Sequence, residues 1–171
     1  MSDPATLAAP TRIEEVAPLG MISLRAAPDT PGLAAAVKAV AGTGLPGQRG
    51  ILMSADRAAA WMSPDEWLLV LPHAGVHNAL KEIEKEFGSA HFLAADVSDA
   101  RAVFRITGPG AEGVIARLCP VDLRHLPKGE LRRTRAAQVA CALWRIEDGF
   151  TLVAFRSVGR YMRDLLTNAL Q

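Results

Sequence analysis

Histidine and cysteine are the residues of this sequence whose types most readily support metal binding or nucleophilic chemistry. His73 and His77 are four positions apart at the start of a predicted helix, but no Glu follows His73 and no third ligand is evident. Cys119 and Cys141 have a spacing that matches neither a redox motif nor a zinc motif. We therefore expect no metal site and no catalytic residue, with both cysteines serving as small buried apolar residues.

Two glycine-rich segments resemble loops that bind phosphate groups. They are GTGLPGQRG at residues 42–50 and TGPGAEG at residues 107–113. Neither contains the Lys-Ser/Thr pair of a phosphate-binding loop, and the second lacks the spacing of the dinucleotide fingerprint. The second segment precedes a predicted helix, whose free amide groups attract anions, but helix capping explains it equally well. We predict no cofactor bound by this chain.

Arginine is concentrated in the C-terminal half. Residues 101–171 contain 12 Lys or Arg and 6 Asp or Glu, whereas residues 1–100 contain 7 and 12. Solvated faces explain such an asymmetry, but arginine is also enriched at protein interfaces, where its planar guanidinium recognises carboxylates. The arginines that we interpret as a candidate docking surface are Arg132, Arg133, Arg135, Arg156, Arg160 and Arg163.

The elements that position these residues belong to a folded chain, because half of the residues are hydrophobic and the net charge is +1. No run of residues has the length and apolar character of a membrane-spanning helix or an export signal, so we expect a cytoplasmic protein with reduced thiols. The single Tyr and the absence of a basic-aromatic octamer argue against nucleic-acid binding. Residues 1–18 are predicted to be an irregular N-terminal arm, because Pro4, Pro10 and Pro18 interrupt any periodicity.

The remaining chain contains one pattern twice, in residues 19–98 and 99–171. The first half has a strand from Gly20 to Arg25, a helix capped by Thr30, strands near Ile51, at 57–62 and at 66–71, a helix ending at Gly88, and a strand at 91–97. The second half has a strand at 101–107, a helix ending before Pro120, strands at 138–146 and 150–155 joined at Asp148-Gly149, and a final helix capped by Ser157.

Aligned by these elements, Trp61 falls over Trp144, and in each half the next aromatic residue comes six positions later. The sequence therefore predicts an α+β fold of two tandem ferredoxin-like halves, each of the β-α-β-β-α-β type, packed together as one compact unit. In the second half, the closing strand is either missing or supplied from elsewhere. Coincidence among common α+β elements is the alternative to duplication.

Four segments of the sequence resemble one known family. They are AAWMSPDEWLLVLP, DVSDARAVFRITGPGA, LCPVDLRHLPKGE and RTRAAQVACALWRIEDGFTLVAFRSVGRYMRDLL, which run in this order from Ala59 to Leu166. This set is similar to the gamma subunit of heterotetrameric sarcosine oxidase. The resemblance weakens before Ala59 and does not include the first 18 residues.

This resemblance implies a fold related to the folate-binding domain of aminomethyltransferases. It also implies a non-catalytic structural subunit of a complex that demethylates sarcosine to glycine, forms hydrogen peroxide and transfers the one-carbon unit to tetrahydrofolate. The implied partners are the alpha, beta and delta subunits, and FAD, FMN, NAD, tetrahydrofolate and zinc are expected on those chains. The Gly-Cys-Tyr-x-Gly-Gln-Glu motif of folate-dependent repair relatives is absent from the sequence.

Two other functions are compatible with the same fold. A stand-alone folate-binding or aminomethyltransferase-like protein would use the arginines of the C-terminal half to hold the glutamate tail of folate. A small-molecule regulatory module would bind an effector between the two halves, which only analogy with other ferredoxin-like pairs supports.

Overall fold

Ten strands and four α-helices form the fold of residues 10–171, which are the residues described by the computed structural model. The strands are β1 (Arg12–Glu15), β2 (Gly20–Arg25), β3 (Ile51–Ser54), β4 (Arg57–Ser63), β5 (Glu66–Leu71), β6 (Leu93–Asp96), β7 (Arg101–Thr107), β8 (Leu131–Ala136), β9 (Val139–Ile146) and β10 (Gly149–Phe155). The helices are α1 (Leu33–Ala41), α2 (Val76–Phe87), α3 (Ala111–Leu118) and α4 (Gly159–Asn168). The predicted α+β class is confirmed.

The strands form two five-stranded antiparallel sheets. The first sheet has the order β3-β4-β5-β2-β6, and the second has the order β8-β9-β10-β7-β1. Along the first half, β2, α1, β4, β5, α2 and β6 follow the predicted β-α-β-β-α-β order, with β3 as an additional edge strand. None of the helices in the described part of the chain has the length and apolar character needed to span a membrane.

Three apolar cores hold the layers together. The first-sheet core lies between the first sheet and helices α1 and α2, and the second-sheet core lies between the second sheet and helices α3 and α4. The inter-sheet core joins the two sheets face to face through residues of both: Met21, Ile51, Ala58, Ala60, Leu68, Val70, Val103, Leu131, Ala142, Trp144 and Val153. The layers therefore run helix, sheet, sheet, helix, and both faces of each sheet are covered.

The N-terminal segment completes the second sheet. Strand β1 pairs with β7 in the same edge position that β6 occupies beside β2, so the closing strand of the second half is supplied from the start of the chain. The prediction of an irregular arm over residues 1–18 is thus wrong for Arg12–Glu15, and residues 1–9 lie outside the described residues. Pro10 and Pro18 flank the strand without interrupting it, and the open edge of β7 provides its hydrogen-bond partners.

Short reciprocal contacts join the starts of β3 and β8. Ile51 donates its backbone N–H to the Gly129 carbonyl at 3.0 Å, and Leu131 donates to the Arg49 carbonyl at 2.8 Å. The Arg49 guanidinium also contacts the Glu130 carboxylate across this seam. The two hydrogen bonds form an antiparallel β-bridge between Gly50 and Glu130, which joins the two sheets at this point.

The two tryptophans aligned by sequence do not occupy equivalent positions. When the two sheets are aligned by their strand pairing, Leu69 of β5 occupies the position of Leu152 of β10. In this alignment, Trp144 of β9 corresponds to Ala60 of β4 and not to Trp61. Trp61 faces the first-sheet core, whereas Trp144 lies in the inter-sheet core. The alignment of Trp61 with Trp144 is wrong by one residue, because the β4–β5 hairpin contains an irregularity after Trp61 that the β9–β10 hairpin lacks.

The glycine of the predicted Asp148-Gly149 turn and the two predicted helix caps, Thr30 and Ser157, have other roles in the structure than those predicted. Gly149 is the first residue of β10, and a Cβ there would lie 2.0 Å from the Ile106 carbonyl oxygen, so close approach to β7 requires glycine at this position. Helix α1 begins after Gly32, whose φ of 89° and close approach to the Glu86 carbonyl exclude a side chain. Neither Thr30 nor Ser157 is the N-cap residue of a helix; Gly32 precedes α1 and Val158 precedes α4.

Candidate functional site

Strand β8 carries the first three arginines of the candidate docking surface. Only Leu131 and Ala136 of this strand are buried. Charged side chains are tolerated at the other positions because β8 is an edge strand. Its apolar pattern is therefore weak, which explains why no strand was predicted here from the sequence. Arg133 and Arg135 share the face of Leu131, which belongs to the inter-sheet core. Arg132 points to the opposite face and donates to the His125 carbonyl at 3.2 Å.

The other three arginines lie beside the opposite edge of the same sheet. Arg156 Nη1 donates to Glu15 Oε1 at 2.6 Å, and Arg163 contacts the other oxygen of the same carboxylate. Arg160 is exposed on α4. Glu15 ends β1, so two arginines from the C-terminal region fasten the N-terminal strand.

The six arginines therefore form two patches and not one surface. Strands β8 and β1 are the two outer strands of the second sheet, with three strands between them. The patch at β8 contains Arg132, Arg133 and Arg135, and the patch at α4 contains Arg156, Arg160 and Arg163. Four of these side chains bind groups of their own chain, which leaves Arg135 and Arg160 exposed without a hydrogen bond or ion pair among residues 10–171.

A pocket of about 320 Å³ opens beside the β8 patch, at the margin of the inter-sheet core. Met62 and Leu68 line it from the first sheet, while Ala142, Val153 and Phe155 line it from the second. Leu68, Ala142 and Val153 are buried, whereas half of the Phe155 side chain is exposed. The pocket thus has an apolar floor that continues into the core and an aromatic residue at its mouth.

Two arginines line this pocket from strands of the second sheet that β9 and β10 separate, Arg101 on β7 and Arg133 on β8. The Arg101 guanidinium lies 4.3 Å from the centre of the Phe155 ring, which is a cation–π contact. Arg133 Nη1 donates to the Met62 carbonyl at 3.1 Å and so bridges the two sheets. Burial lowers the pKa of Arg101; Glu66 opposes this effect, and the positive charge of Arg133 adds to it.

Sequence reasoning identified Arg133 but missed Arg101, Phe155 and the pocket itself. The alternation of Ala102, Phe104 and Ile106 within residues 101–107 is typical of a strand with only one buried face. The other face contains Val103, which is 5% exposed because the first sheet covers it. The apolar residues on both faces of β9 and β10 are the signal that a second sheet packs against this one.

The glycines of TGPGAEG accommodate the N-terminal segment. Gly110 donates its backbone N–H to Thr11 Oγ1 at 2.8 Å, and a Cβ on Gly110 would lie 2.6 Å from that same oxygen. Gly108 has a φ of 97° and lies against the backbone of Thr11. The amide of Gly110, the residue before α3, is therefore occupied by a side chain of this chain, while α3 itself has no side-chain cap hydrogen bond.

The histidines and the cysteines differ in their exposure to solvent. His73 and His77 are both exposed, and within residues 10–171 no group of three or more His, Cys, Asp or Glu could hold a metal ion. Cys119 and Cys141 are both buried in the second-sheet core, as predicted. The neighbouring Cys119 thiol and burial raise the pKa of Cys141, so this thiol stays protonated at neutral pH.

Comparison with known proteins gives a consistent result. Residues 25–170 match the model of the sarcosine oxidase, gamma subunit family. Sarcosine oxidase subunit gamma of Corynebacterium sp. (strain P-1) is 33% identical over 138 residues, which are 78% of this chain and 66% of that protein. The same subunit of an Arthrobacter species is 33% identical over 137 residues, again 78% and 66% of the two chains. The chain thus spans just under two thirds of the length of these relatives.

Solved structures show the same relation. A chain of heterotetrameric sarcosine oxidase from Corynebacterium sp. U-96, in complex with pyrrole 2-carboxylate, superposes with a TM-score of 0.85 and 28% identity, covering 94% of this chain and 83% of that one. Glycine cleavage system aminomethyltransferase T from Bartonella henselae superposes with a TM-score of 0.63 and 16% identity, covering 92% and 45%, and shares the fold. On the family match and these relatives, the chain belongs to the sarcosine oxidase gamma subunit family.

Proposed function

We propose that this chain is a non-catalytic structural subunit of a heterotetrameric sarcosine oxidase. The observation that carries this proposal is the superposition with a chain of such a complex, which covers 94% of this chain at a TM-score of 0.85. A relation over nearly the whole fold, including both sheets, supports a shared place in an assembly more strongly than a match to one local motif would.

The exposed side chains support a role in assembly. Among residues 10–171, six large apolar side chains are at least 40% exposed: Leu52, Met53, Leu93, Phe155, Tyr161 and Leu170. Leu52 and Met53 are neighbours on the edge strand β3, and Leu93 lies on the opposite edge strand β6. Single exposed apolar residues are common, but edge strands with such residues are suited to contact with another chain.

The proposal includes the partners and their cofactors. The alpha, beta and delta subunits are the proposed partners, in the cytoplasm, and FAD, FMN, NAD, tetrahydrofolate and zinc are proposed to bind to those chains. The complex would demethylate sarcosine to glycine, form hydrogen peroxide and transfer the one-carbon unit to tetrahydrofolate. This chain would contribute to that reaction by holding the larger subunits in place.

The two arginine patches are the proposed contacts with acidic surfaces of the partners. Arg135 and Arg160 are the strongest members, because their guanidinium groups are exposed while Arg132, Arg133, Arg156 and Arg163 already bind groups of this chain. Arginine at a partner interface forms bidentate hydrogen bonds with carboxylates, which gives both orientation and affinity. The distance between the patches across the sheet favours contact with two different surfaces.

Co-expression of the tagged full chain with the other three subunits of its host tests the proposal. We expect the partners to elute with the tagged chain in a fixed ratio and the eluted complex to be yellow from its flavins. Recovery of the tagged chain alone would contradict the proposal. Arg135→Glu and Arg160→Glu test the two patches separately, with Lys38→Glu on α1 as the matched charge reversal outside both.

Titration of the full chain with tetrahydrofolate distinguishes the stand-alone alternative. A structural subunit should release no heat of binding in calorimetry at micromolar protein concentration. Saturable heat from the chain alone would favour the folate-binding or aminomethyltransferase-like protein. The shared fold with an aminomethyltransferase at 16% identity does not decide between the two.

A further inference from the structure

The pocket beside the β8 patch has the composition of a ligand site that neither the family nor the proposed assembly role explains. Its volume of about 320 Å³ is at the lower end of the range of small-molecule pockets, about 300–1,000 Å³. Such sites combine a mostly apolar lining with a few polar groups that fix the orientation of the ligand. Leu68, Ala142 and Val153 form the apolar floor here, and two guanidinium groups stand above it.

The positive charge at the pocket is only partly neutralised. Burial lowers the pKa of Arg101, Glu66 opposes this effect, and the positive charge of Arg133, which lines the same pocket, adds to it. Glu66 is already engaged, because its two carboxylate oxygens accept from Ser23 Oγ at 2.9 Å and from Arg25 Nη2 at 3.0 Å. An anion placed between Arg101 and Arg133 would therefore reduce a repulsion that the chain itself leaves in place.

Both guanidinium groups are held in position before any ligand arrives. Arg101 stacks on the Phe155 ring, and Arg133 is fixed by its hydrogen bond to the Met62 carbonyl. Each guanidinium has five N–H donors, so these contacts leave donors free for a carboxylate. Prior ordering of this kind lowers the entropy cost of binding.

We propose that this pocket binds a small carboxylate on an apolar or aromatic body, with the carboxylate between Arg101 and Arg133 and the body on the apolar floor. Phe155 at the mouth would stack on a flat ligand. The same chemical group can arrive as a free molecule or as an acidic side chain next to an apolar residue of a partner chain. Titration of the free chain and of the co-purified complex separates these two sources.

Titration of the ¹⁵N-labelled full chain with benzoate tests the site by NMR, with benzamide as the uncharged probe of the same shape. We expect saturable shifts of the amides of Arg101, Arg133, Ala142 and Phe155 with benzoate, and none that saturate with benzamide. Equal binding of the two probes would overturn the proposal, because it would show that no carboxylate is recognised. Shifts that spread over the surface without saturation would overturn it as well.

Substitution of the two arginines tests their part in binding. Arg133→Gln should weaken benzoate binding about tenfold, as expected for the loss of one charge-assisted contact, and Arg101→Gln should do the same. Arg105→Gln, on the same strand as Arg101 but outside the pocket, is the matched control and should leave the affinity unchanged. Arg133 is exposed, so we expect Arg133→Gln to fold. It therefore remains a usable test even if Arg101→Gln unfolds because the contact between Arg101 and Phe155 is lost. Unchanged benzoate affinity in Arg133→Gln would overturn the proposal.

Repetition of the titration in the co-purified complex identifies the source of the carboxylate. Binding that persists in the complex supports a free molecule as the natural ligand. Binding that is lost in the complex, together with weaker retention of the partners by Arg133→Gln, supports an acidic side chain of a partner. The titration of the free chain does not depend on assembly, so a failure of the subunit proposal would leave this test intact.

Discussion

At the scale of single residues, two buried tryptophans differ in how their indole N–H groups are satisfied. Trp67 Nε1 donates to the Pro46 carbonyl at 3.1 Å, whereas Trp144 Nε1 is buried and has no hydrogen-bond partner among residues 10–171. Both side chains are almost fully covered, at 2% and 6% exposure. Burial of a polar group without a partner costs free energy, so the two indoles should contribute unequally to stability.

Replacement of each tryptophan by phenylalanine measures this difference. Trp67→Phe removes a hydrogen bond and leaves the Pro46 carbonyl without its donor, whereas Trp144→Phe removes only an unpaired group. We expect Trp67→Phe to lower the free energy of unfolding by about 1–2 kcal/mol more than Trp144→Phe does. Urea denaturation followed by circular dichroism would show this, and equal losses would contradict the expectation.

Ser98 is one of the few buried polar residues and connects the end of β6 to β2. Its hydroxyl accepts from the Met21 backbone N–H at 3.0 Å and donates to Asp96 Oδ1 at 2.5 Å. The hydroxyl and the backbone N–H of Ser98 hold the pKa of Asp96 below its usual value. Because folding lowers the pKa of Asp96, its ionised carboxylate stabilises the folded chain at pH values above the pKa that Asp96 has in the unfolded chain. This stabilisation is lost as the pH falls through the lower pKa of the folded chain.

Substitution of Asp96 therefore has a pH-dependent effect. Asp96→Asn should be less stable than the unsubstituted chain between about pH 5 and pH 7. The difference should narrow below about pH 4, where the unfolded chain takes up the proton first, and it should disappear only below the lowered pKa of the folded state. Urea denaturation at several pH values measures it. In a Ser98→Ala background, the effect of Asp96→Asn should be smaller, because the hydroxyl that lowers the pKa is gone. A difference that stays constant to pH 3 would rule out this role for the carboxylate.

At the scale of elements, the position of each closing strand is the main difference between the halves. Strand β6 comes at the end of the first half in sequence, whereas β1 precedes both halves. The two strands nevertheless end with equivalent backbone hydrogen bonds, from Val97 to the Met21 carbonyl and from Val16 to the Val103 carbonyl. Ile13 on β1 packs against the second-sheet core. The N-terminal segment is thus part of the core of the second half.

The alternating exposure of β1 gives a matched pair of substitutions. Ile13→Ala should lower the free energy of unfolding by about 1–2 kcal/mol, because the side chain is only partly buried. Glu14→Ala, at the adjacent exposed position of the same strand, should change it by less than about 0.5 kcal/mol. Chemical denaturation compares the two, and a similar loss in both variants would mean that β1 contributes through pairing alone.

The sequence predicted those elements whose apolar pattern is strong and missed those with a weak pattern. Strands β2, β5 and β7 and helix α2 are rich in apolar residues, and their predicted positions are close to those observed. Strand β8 has three arginines in six residues and was missed, because its pairing with β9 and not its own composition makes it a strand. The misplacement of Trp144 has a related cause, since a one-residue irregularity in a hairpin leaves no mark on aromatic spacing.

At the scale of the whole molecule, the inter-sheet core and β1 join the two halves. The inter-sheet core contains residues from both sheets, and the seam between Arg49 and Glu130 links the starts of β3 and β8. The pocket combines Met62 and Leu68 of one half with Arg101 and Phe155 of the other. Sequence patterns describe one element at a time, so a site formed by packing two halves could not be predicted from them.

Because of these shared contacts, we propose that residues 19–98 and 99–171 unfold as one unit. The three tryptophans allow each half to be observed separately. In Trp144→Phe only Trp61 and Trp67 fluoresce, whereas in the double variant Trp61→Phe/Trp67→Phe only Trp144 does. In each variant, the urea midpoint from fluorescence should coincide with that from circular dichroism. Separate midpoints would mean that one half unfolds before the other.

The pairing of β1 with β7 also bears on the order in which the chain is made. Thr11 emerges from the ribosome early but contacts Gly110, which is 99 positions further along, and Glu15 contacts Arg156, which is 141 positions further. The first sheet can form while β1 still has no partner, since β2 to β6 are complete before β7 is synthesised. Pairing of β1 with β7 therefore waits until β7 has been made, and the contact between Glu15 and Arg156 waits until the chain has extended past β10.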